Sequence, residues 1–488
     1  MTEKKIALHW INGEWVDAGD HRDSVDPATM QIIGTYSSGG VETANQAIQV
    51  AKEAFRKTSW KSDRLARARV LNSMADAFER HAEHIVAAVS AEVGKVTAHA
   101  RFETGIVPHT LRFNAALALT DHGRVAEIQP GSLDMVIRQA AGVAGIIAPW
   151  NSPVALSVRS LAPALAAGAT VVMMLPRQTA QVNSLLAKVI SETEGLPKGV
   201  VNVITGGQDV SHAIIISPDV PVISFTGSSK TGRAISADAS ADLKRLGLEL
   251  GGKSPMLLFA DADLDAAIPA LVTALTVFTG QFCMTISRVL VDRKIADRVR
   301  VELAKQLDAV IVGPATDPTS QMGPIIDKPN VERIDKMVED AIAAGAKVIL
   351  RGGPIRDGAL AKGAFYKPTL LEVTTSALEI VQKEVFGPVL TMQVFDTEEE
   401  AIGLANDSEF GLCASVWSRD IDRPLRVARE LDSGTVWVND WAVLYDQFEE
   451  GGFKQSGQGR MRGVAVLDDF IEYKHISMKP GTVSRQPG

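Results

Sequence analysis

Ala141-Gly-Val-Ala-Gly-Ile-Ile-Ala-Pro-Trp-Asn-Ser-Pro153 is an uncharged, largely apolar run that ends in a Pro-Trp-Asn-x-Pro turn. Its core, residues 145–148, is too short for an ordinary helix, and turn residues close it, so it predicts a strand buried on both faces. Comparable apolar runs follow at 170–174, 200–204 and 222–225. Between them, 155–166, 181–192 and 210–215 carry apolar residues at helical spacing. Buried strands alternating with helices imply a parallel sheet covered on both sides.

Downstream the alternation starts again. Residues 255–259 read as strand, 263–279 as helix, 288–291 as strand, 296–307 and 331–344 as helices and 347–350 as strand, with further pairs to about Asn439. Upstream, helical spacing runs from 43 to 55, across 62–92, and with breaks towards 119. Short strands are expected before that, at 6–13 and 25–34, the second carrying an Asp26-Pro27 turn signal. One segment breaks the pattern: 124–139 holds two alternating runs around Pro130-Gly131-Ser132, a β-hairpin signal inside α/β sequence. Residues 470–484 are again extended and could pair with that hairpin. The expected fold class is α/β, two doubly wound parallel-sheet domains with a small β arm.

Composition excludes several classes. The 488 residues are 46% apolar and 22% charged, globular rather than disordered proportions. A net charge of −8 with no basic block argues against nucleic acid or a polybasic membrane contact. No apolar window is long enough for a membrane span, and MTEKKIALHW lacks the apolar core of a signal peptide. Only Cys283 and Cys413 are present, which excludes a disulfide framework. His81 and His84 share a helix face without a third ligand nearby, so no metal is expected. These features fit a cytoplasmic protein.

Four motifs carry chemistry. Cys283, in Phe278-Thr-Gly-Gln-Phe-Cys-Met, sits in turn-like surroundings and reads either as a buried apolar cysteine or as a thiolate nucleophile. Glu249, in Leu248-Glu-Leu-Gly-Gly-Lys253, is a carboxylate in an apolar strand. Burial would raise its pKa towards that of a general base, unless it pairs with Lys253. Asn151 could close an Asx-turn or donate to a developing oxyanion. Ser224-Phe-Thr-Gly-Ser-Ser-Lys-Thr-Gly232 reads as strand, glycine turn and helix start, without the Lys-[Ser/Thr] of an NTPase loop. A helix N-terminus there could face a pyrophosphate.

The order of these motifs, and the spacing from Glu249 to Cys283, resembles the aldehyde dehydrogenase superfamily. Glu384-Val-Phe-Gly-Pro-Val389, Gly434-Thr-Val-Trp-Val-Asn439 and Gly452-Phe-Lys-Gln-Ser-Gly-Gln-Gly-Arg460 are similar to its later signatures, so the likeness spans the chain. The resemblance implies aldehyde oxidation to the acid with NAD, or NADP, as hydride acceptor. It implies that Cys283 forms a thiohemiacetal and then a thioester, that Asn151 holds the oxyanion, and that Glu249 activates the hydrolytic water. Trp150, Phe225, Thr226, Gly227, Ser228, Leu250, Glu384 and Phe386 would bind the cofactor. It further implies a Rossmann-like cofactor domain over 1–122 and 141–252 and a catalytic domain over 253–451. Residues 123–140 and 466–488 would form a bridging arm in a homodimer or homotetramer.

Two departures from the family pattern stand out. Where the family usually has Lys-Pro-Ser-Glu, reaching the adenosine ribose, this chain has Met174-Leu-Pro-Arg177, followed by Gln178. Arg159 stands where many relatives that oxidise neutral aldehydes carry Trp, and succinic-semialdehyde-type relatives carry Arg. Those relatives have a second Arg where this chain has Val277. Arg159 therefore reads either as a contact for an anionic substrate or as a salt-bridging helix residue. Glu249 favours hydrolysis over CoA transfer, and the presence of Asn151, Glu249 and Cys283 together favours an enzyme over a crystallin-like binding relative.

Overall fold

A computed structural model describes residues 6–481. The expected extension of the last strand to 484, the arm boundary at 488 and residues 1–5 of the first segment lie outside the described residues.

An eight-stranded sheet forms the first half. Its parallel centre runs Arg245–Glu249, Val222–Thr226, Val143–Ile147, Thr170–Pro176, Val201–Gly206, and antiparallel strands close both edges. Successive side chains of a strand face opposite ways. Accordingly Val171, Met173 and Leu175 join the core under the helices Arg64–Arg80, Thr97–Thr120, Pro153–Ala167 and Ala180–Ser191. Val172 and Met174 join the opposite core, under Val41–Lys57 and Gln208–Ile216. Both faces are apolar, which is why these strands read as unbroken runs.

The second sheet has seven strands, in the order Lys347–Leu350, Thr369–Glu372, Val389–Phe395, Ile286–Asp292, Ser254–Leu258, Cys413–Trp417, Thr435–Val438. All pairs but the first are parallel. The third sheet is the expected hairpin, Arg124–Gln129 with Ser132–Ala140, joined by Ile471–Met478 in register Ile471↔Ala140.

Three local expectations need correction. The run 62–92 is two helices, Arg64–Arg80 and Ala82–Val93, because His81 leaves helical geometry and caps the first. The stretch 25–34 is not one strand. Asp26 accepts hydrogen bonds from the Ala28 amide and the Thr29 hydroxyl, turning the chain between His21–Val25 and Ile32–Ser37. The helix expected to reach 279 ends at Thr276, and Phe278 and Thr279 take left-handed φ values of 49° and 61°. Gly280 follows at φ 70°, where a Cβ would lie 2.4 Å from the Gly387 carbonyl carbon. That irregular turn carries the chain from the helix end to Cys283.

Candidate active site

The last residue of Arg245–Glu249 is Glu249, flanked in register by Thr226 on one side and Gly457 on the other. Three residues on, the backbone at Gly252 runs so close to Cys283 that a Cβ there would meet the Cys283 carbonyl oxygen at 2.7 Å. Asn151 arrives from the turn after Val143–Ile147 and donates through Nδ2 to the Gln281 carbonyl at 2.9 Å. The fold therefore gathers Asn151, Glu249 and Cys283, which the sequence separates widely. Glu249 and Asn151 are each 4% exposed, and Cys283 keeps partial access to the surface.

Burial dominates the electrostatics. It pushes the Glu249 carboxyl up to about 8, opposed chiefly by the Arg159 guanidinium. It also pushes the Cys283 thiol well above its ordinary value, again with Arg159 as the largest opposing charge. The expected alternative partner of Glu249 plays no such part. Lys253 points elsewhere, its buried Nζ makes no hydrogen bond, and burial lowers it to about 7. Cys413 is the inert thiol of the pair, buried and donating to the Ser254 hydroxyl at 3.1 Å.

The Asn151 turn is braced from beneath. Glu103 Oε1 accepts from the backbone N–H groups of Val154 and Ala155, capping the helix Pro153–Ala167. Its other oxygen meets Lys95 Nζ at 2.5 Å, and Lys95 also donates to Ser152 Oγ at 3.0 Å. The Lys95 ammonium lies 3.4 Å from the centre of the Phe278 ring. Nothing in the sequence pattern singles out Lys95 and Glu103, because their importance lies in being buried together.

The residues expected at a cofactor gather along the same edge. Ser228 caps the helix Ser229–Ala239, accepting from the Thr231 amide, and the Gly227 amide donates to the Glu249 carbonyl. A Cβ at Gly227 would strike the Phe225 ring at 2.4 Å, so this turn admits only glycine without rearrangement. Leu250 packs on Gly232 at the opening of that helix. Glu384 accepts from the Gly252 amide at 3.1 Å, and burial raises it to about 7. The Trp150 and Phe386 rings meet edge to face at 5.5 Å. Thr226 differs from the rest: its hydroxyl accepts from Arg159 Nη2 at 3.1 Å.

Arg159 itself resolves into a salt-bridging residue. It is buried, Nη1 meets Glu450 Oε1 at 2.8 Å, and Glu450 Oε2 is held by Arg462 at 2.8 Å. Glu450 went unnoticed in the sequence because Glu449-Glu450 ahead of the glycines reads as a solvated pair. At the far end of the sheet, Arg177 pairs with Asp209 at 3.4 Å and lies over Gly207. Sequence reading found no carboxylate there, since Asp209 belongs to the next strand-to-helix turn. Among the described residues no cluster of His, Cys, Asp or Glu could hold a metal ion, and no helix is long and apolar enough to cross a membrane.

A thiol, a buried carboxylate and a side-chain amide thus converge at one edge of the eight-stranded sheet. Comparison with known proteins identifies the family. The aldehyde dehydrogenase family model matches residues 15–476. Betaine aldehyde dehydrogenase of Bacillus subtilis is 38% identical, over 97% of this chain and 98% of its own length. Human 2-aminomuconic semialdehyde dehydrogenase is 35% identical, over 96% and 98%. The crystal structure of Staphylococcus aureus betaine aldehyde dehydrogenase in complex with NAD+ superposes with a TM-score of 0.95 at 33% identity, covering 99% of this chain and 97% of that one. The chain belongs to the aldehyde dehydrogenase family, and it is an enzyme that oxidises an aldehyde to the carboxylic acid through a cysteine.

Proposed function

We propose that Cys283 is that cysteine, that Asn151 and the Cys283 backbone N–H hold the oxyanion, and that Glu249 is the base for hydrolysis. The observation that carries this reading is the convergence of Asn151, the Glu249–Gly252 turn and Cys283 at one point. Once the Cys283 thiol has given its proton to water, the sulfur bonds to the aldehyde carbon, the C=O π pair moves onto the oxygen, and that oxygen takes the negative charge. An amide nitrogen has two hydrogens. With one of Asn151's donated to Gln281, the carboxamide is oriented and the other is left for the oxyanion. Loss of hydride leaves a thioester on Cys283. Glu249 then removes a proton from water as its oxygen attacks the acyl carbon, and the thiolate departs.

The residues at the sheet edge fit NAD, the cofactor present in the crystal structure of the Staphylococcus relative. A capped helix N-terminus offers free N–H groups to a pyrophosphate beside a turn that side chains would block. Gly227, Ser228, Phe225, Thr226 and Leu250 would hold that end, and Trp150, Glu384 and Phe386 the nicotinamide end. When bound, NAD accepts the hydride. NAD is the better substrate in this reading, with measurable use of NADP.

Among the described residues, this reading gives a cofactor domain over 6–122 and 141–252, a catalytic domain over 253–451, and an arm of 123–140 with 466–481. Val125, Ile128 and Tyr473 leave apolar surface on the arm, which supports a homodimer or homotetramer. We further propose a cytoplasmic location. Aldehyde-dependent NADH absorbance, measured with and without CoA, tests the reaction. Growth that needs no CoA supports hydrolysis, and growth only with CoA would overturn the role of Glu249.

A further inference from the structure

The ion pair Lys95–Glu103 has no part in the chemistry just described, yet its side chains are closed to solvent, at 3% and 0% exposed. Exchanging a buried pair for apolar residues of similar volume is often neutral or stabilising, so stability alone does not account for it. What the pair touches does. Ser152 is the N-cap residue of the helix Pro153–Ala167, but its hydroxyl caps no amide of that helix. Glu103 caps it instead, through Val154 and Ala155, and the Ser152 hydroxyl accepts from Lys95. The residue before Ser152 is Asn151.

On its other side the Lys95 ammonium lies over the ring of Phe278, in the left-handed turn that leads to Cys283. The Phe278 carbonyl accepts from the Gln281 amide at 3.0 Å and from Gln281 Nε2 at 3.2 Å. The Gln281 carbonyl accepts in turn from Asn151 Nδ2 at 2.9 Å. These contacts close a ring: Lys95, Ser152, Asn151, Gln281, Phe278 and back to Lys95. The turn that bears the amide and the turn that bears the thiol are therefore tied twice, once by Asn151 to Gln281 and once through Lys95. An ammonium suits that place, because it offers three N–H donors and a compact charge for an aromatic face. We propose that Lys95, neutralised by Glu103, is a positioning residue that sets the spacing of Asn151 from Cys283 and so the fit of the oxyanion between them. The inference rests on the roles given above to Asn151 and Cys283. Without Lys95, only the Asn151–Gln281 bond of this ring still joins the two turns.

Two probes separate oxyanion fit from thiol reactivity. With p-nitrophenyl acetate the thiol gives its proton to water, sulfur bonds to the acyl carbon, the carbonyl oxygen carries the charge, and collapse expels p-nitrophenolate. Iodoacetamide alkylates the same sulfur by displacing iodide from a saturated carbon, with no oxyanion. Both are measured on the full-length protein, with Cys283→Ala supplying the background from Cys413. Misplacing a reacting group by about 1 Å can cost about 10²-fold, so Lys95→Met should slow the nitrophenolate burst by roughly tenfold to a hundredfold and leave alkylation within about twofold. In an Asn151→Ala background the same substitution should cost little more, because residues acting through one another do not add. Ser152→Ala removes one link and should slow the burst less, in the same direction; it decides the matter if Lys95→Met does not fold. Equal losses with both probes, no loss with either, or an effect that multiplies with that of Asn151→Ala would overturn the proposal. A burst missing from the wild type, or unchanged in Asn151→Ala alone, would sink the role given to Cys283 or to Asn151 and this inference with it, so the failures are told apart.

Discussion

Two regions along one edge of the eight-stranded sheet obey different rules. At one end, Asn151, the Glu249–Gly252 turn and Cys283 converge, and in the reading proposed above each has a task that few other side chains perform. At the other, the Met174–Arg177 stretch offers no side-chain carboxylate of its own, and Arg177 meets one, Asp209, from the following turn. Bond making needs a given atom at a given point. Holding a ribose needs only some donor or acceptor within reach, and the fold can supply it from more than one loop. The contrast teaches that bond making is tied to particular side chains, whereas a binding contact can be met from more than one loop.

Removing the nucleophile tests the first end hardest. Cys283→Ala should reduce aldehyde oxidation to background while nicotinamide binding, followed by tryptophan fluorescence, persists. Turnover within tenfold of wild type would break the assignment. Glu249→Gln comes next. General-base contributions are typically about 10² to 10⁴ in rate, so steady turnover should fall by that order while a first burst of NADH survives. A burst slowed as much as turnover would place Glu249 before hydride loss, not after it.

A smaller effect follows from burial. Glu249 must be ionised to accept a proton, and its carboxyl is raised to about 8. Folded pKa above the ordinary carboxylate value means the active form is lost as pH falls through 8. Thioester hydrolysis should therefore rise about tenfold from pH 7 towards 9 and then level, because below its pKa a base loses tenfold per unit. A profile flat above pH 6 would show that Glu249 sits in a wetter environment than its 4% exposure implies.

How much of this could be read from the sequence follows the same division. The parallel strands were legible because both faces are buried, which leaves an unbroken apolar run at each. The pairing of 471–478 with the hairpin was legible from alternation. The break at His81 was not, since local helical spacing continues through it and tertiary packing decides the bend. Nor was the turn through Phe278 and Thr279, where left-handed geometry is imposed by the approach of Gly280 to Gly387. Asn151, Glu249 and Cys283 were visible as types. Arg159 was visible as a possible salt-bridging residue, but its partner Glu450 was not, nor was the pair of Lys95 with Glu103, because a salt bridge between distant residues leaves no local pattern.

The smallest effect probes the tolerant end. Arg177 is a cation of the kind that attracts a 2′-phosphate, but Asp209 stands 3.4 Å from it and both are about a third to a half exposed, at 31% and 49%. Exposed pairs are worth little, commonly below about 1 kcal/mol, so discrimination between NAD and NADP should be modest in the wild type. Asp209→Asn would free Arg177 and remove a repelling charge, raising kcat/KM for NADP several-fold with NAD nearly unchanged. Arg177→Glu would do the reverse, adding a second carboxylate beside Asp209 and sharpening the preference for NAD. Measuring kcat/KM for both nicotinamides in the three proteins decides the matter. A wild type that prefers NADP by more than about tenfold, roughly 1.4 kcal/mol, would mean that Arg177 leaves Asp209 when the cofactor arrives. Indifference of both variants would mean that the ribose is held from some other loop altogether.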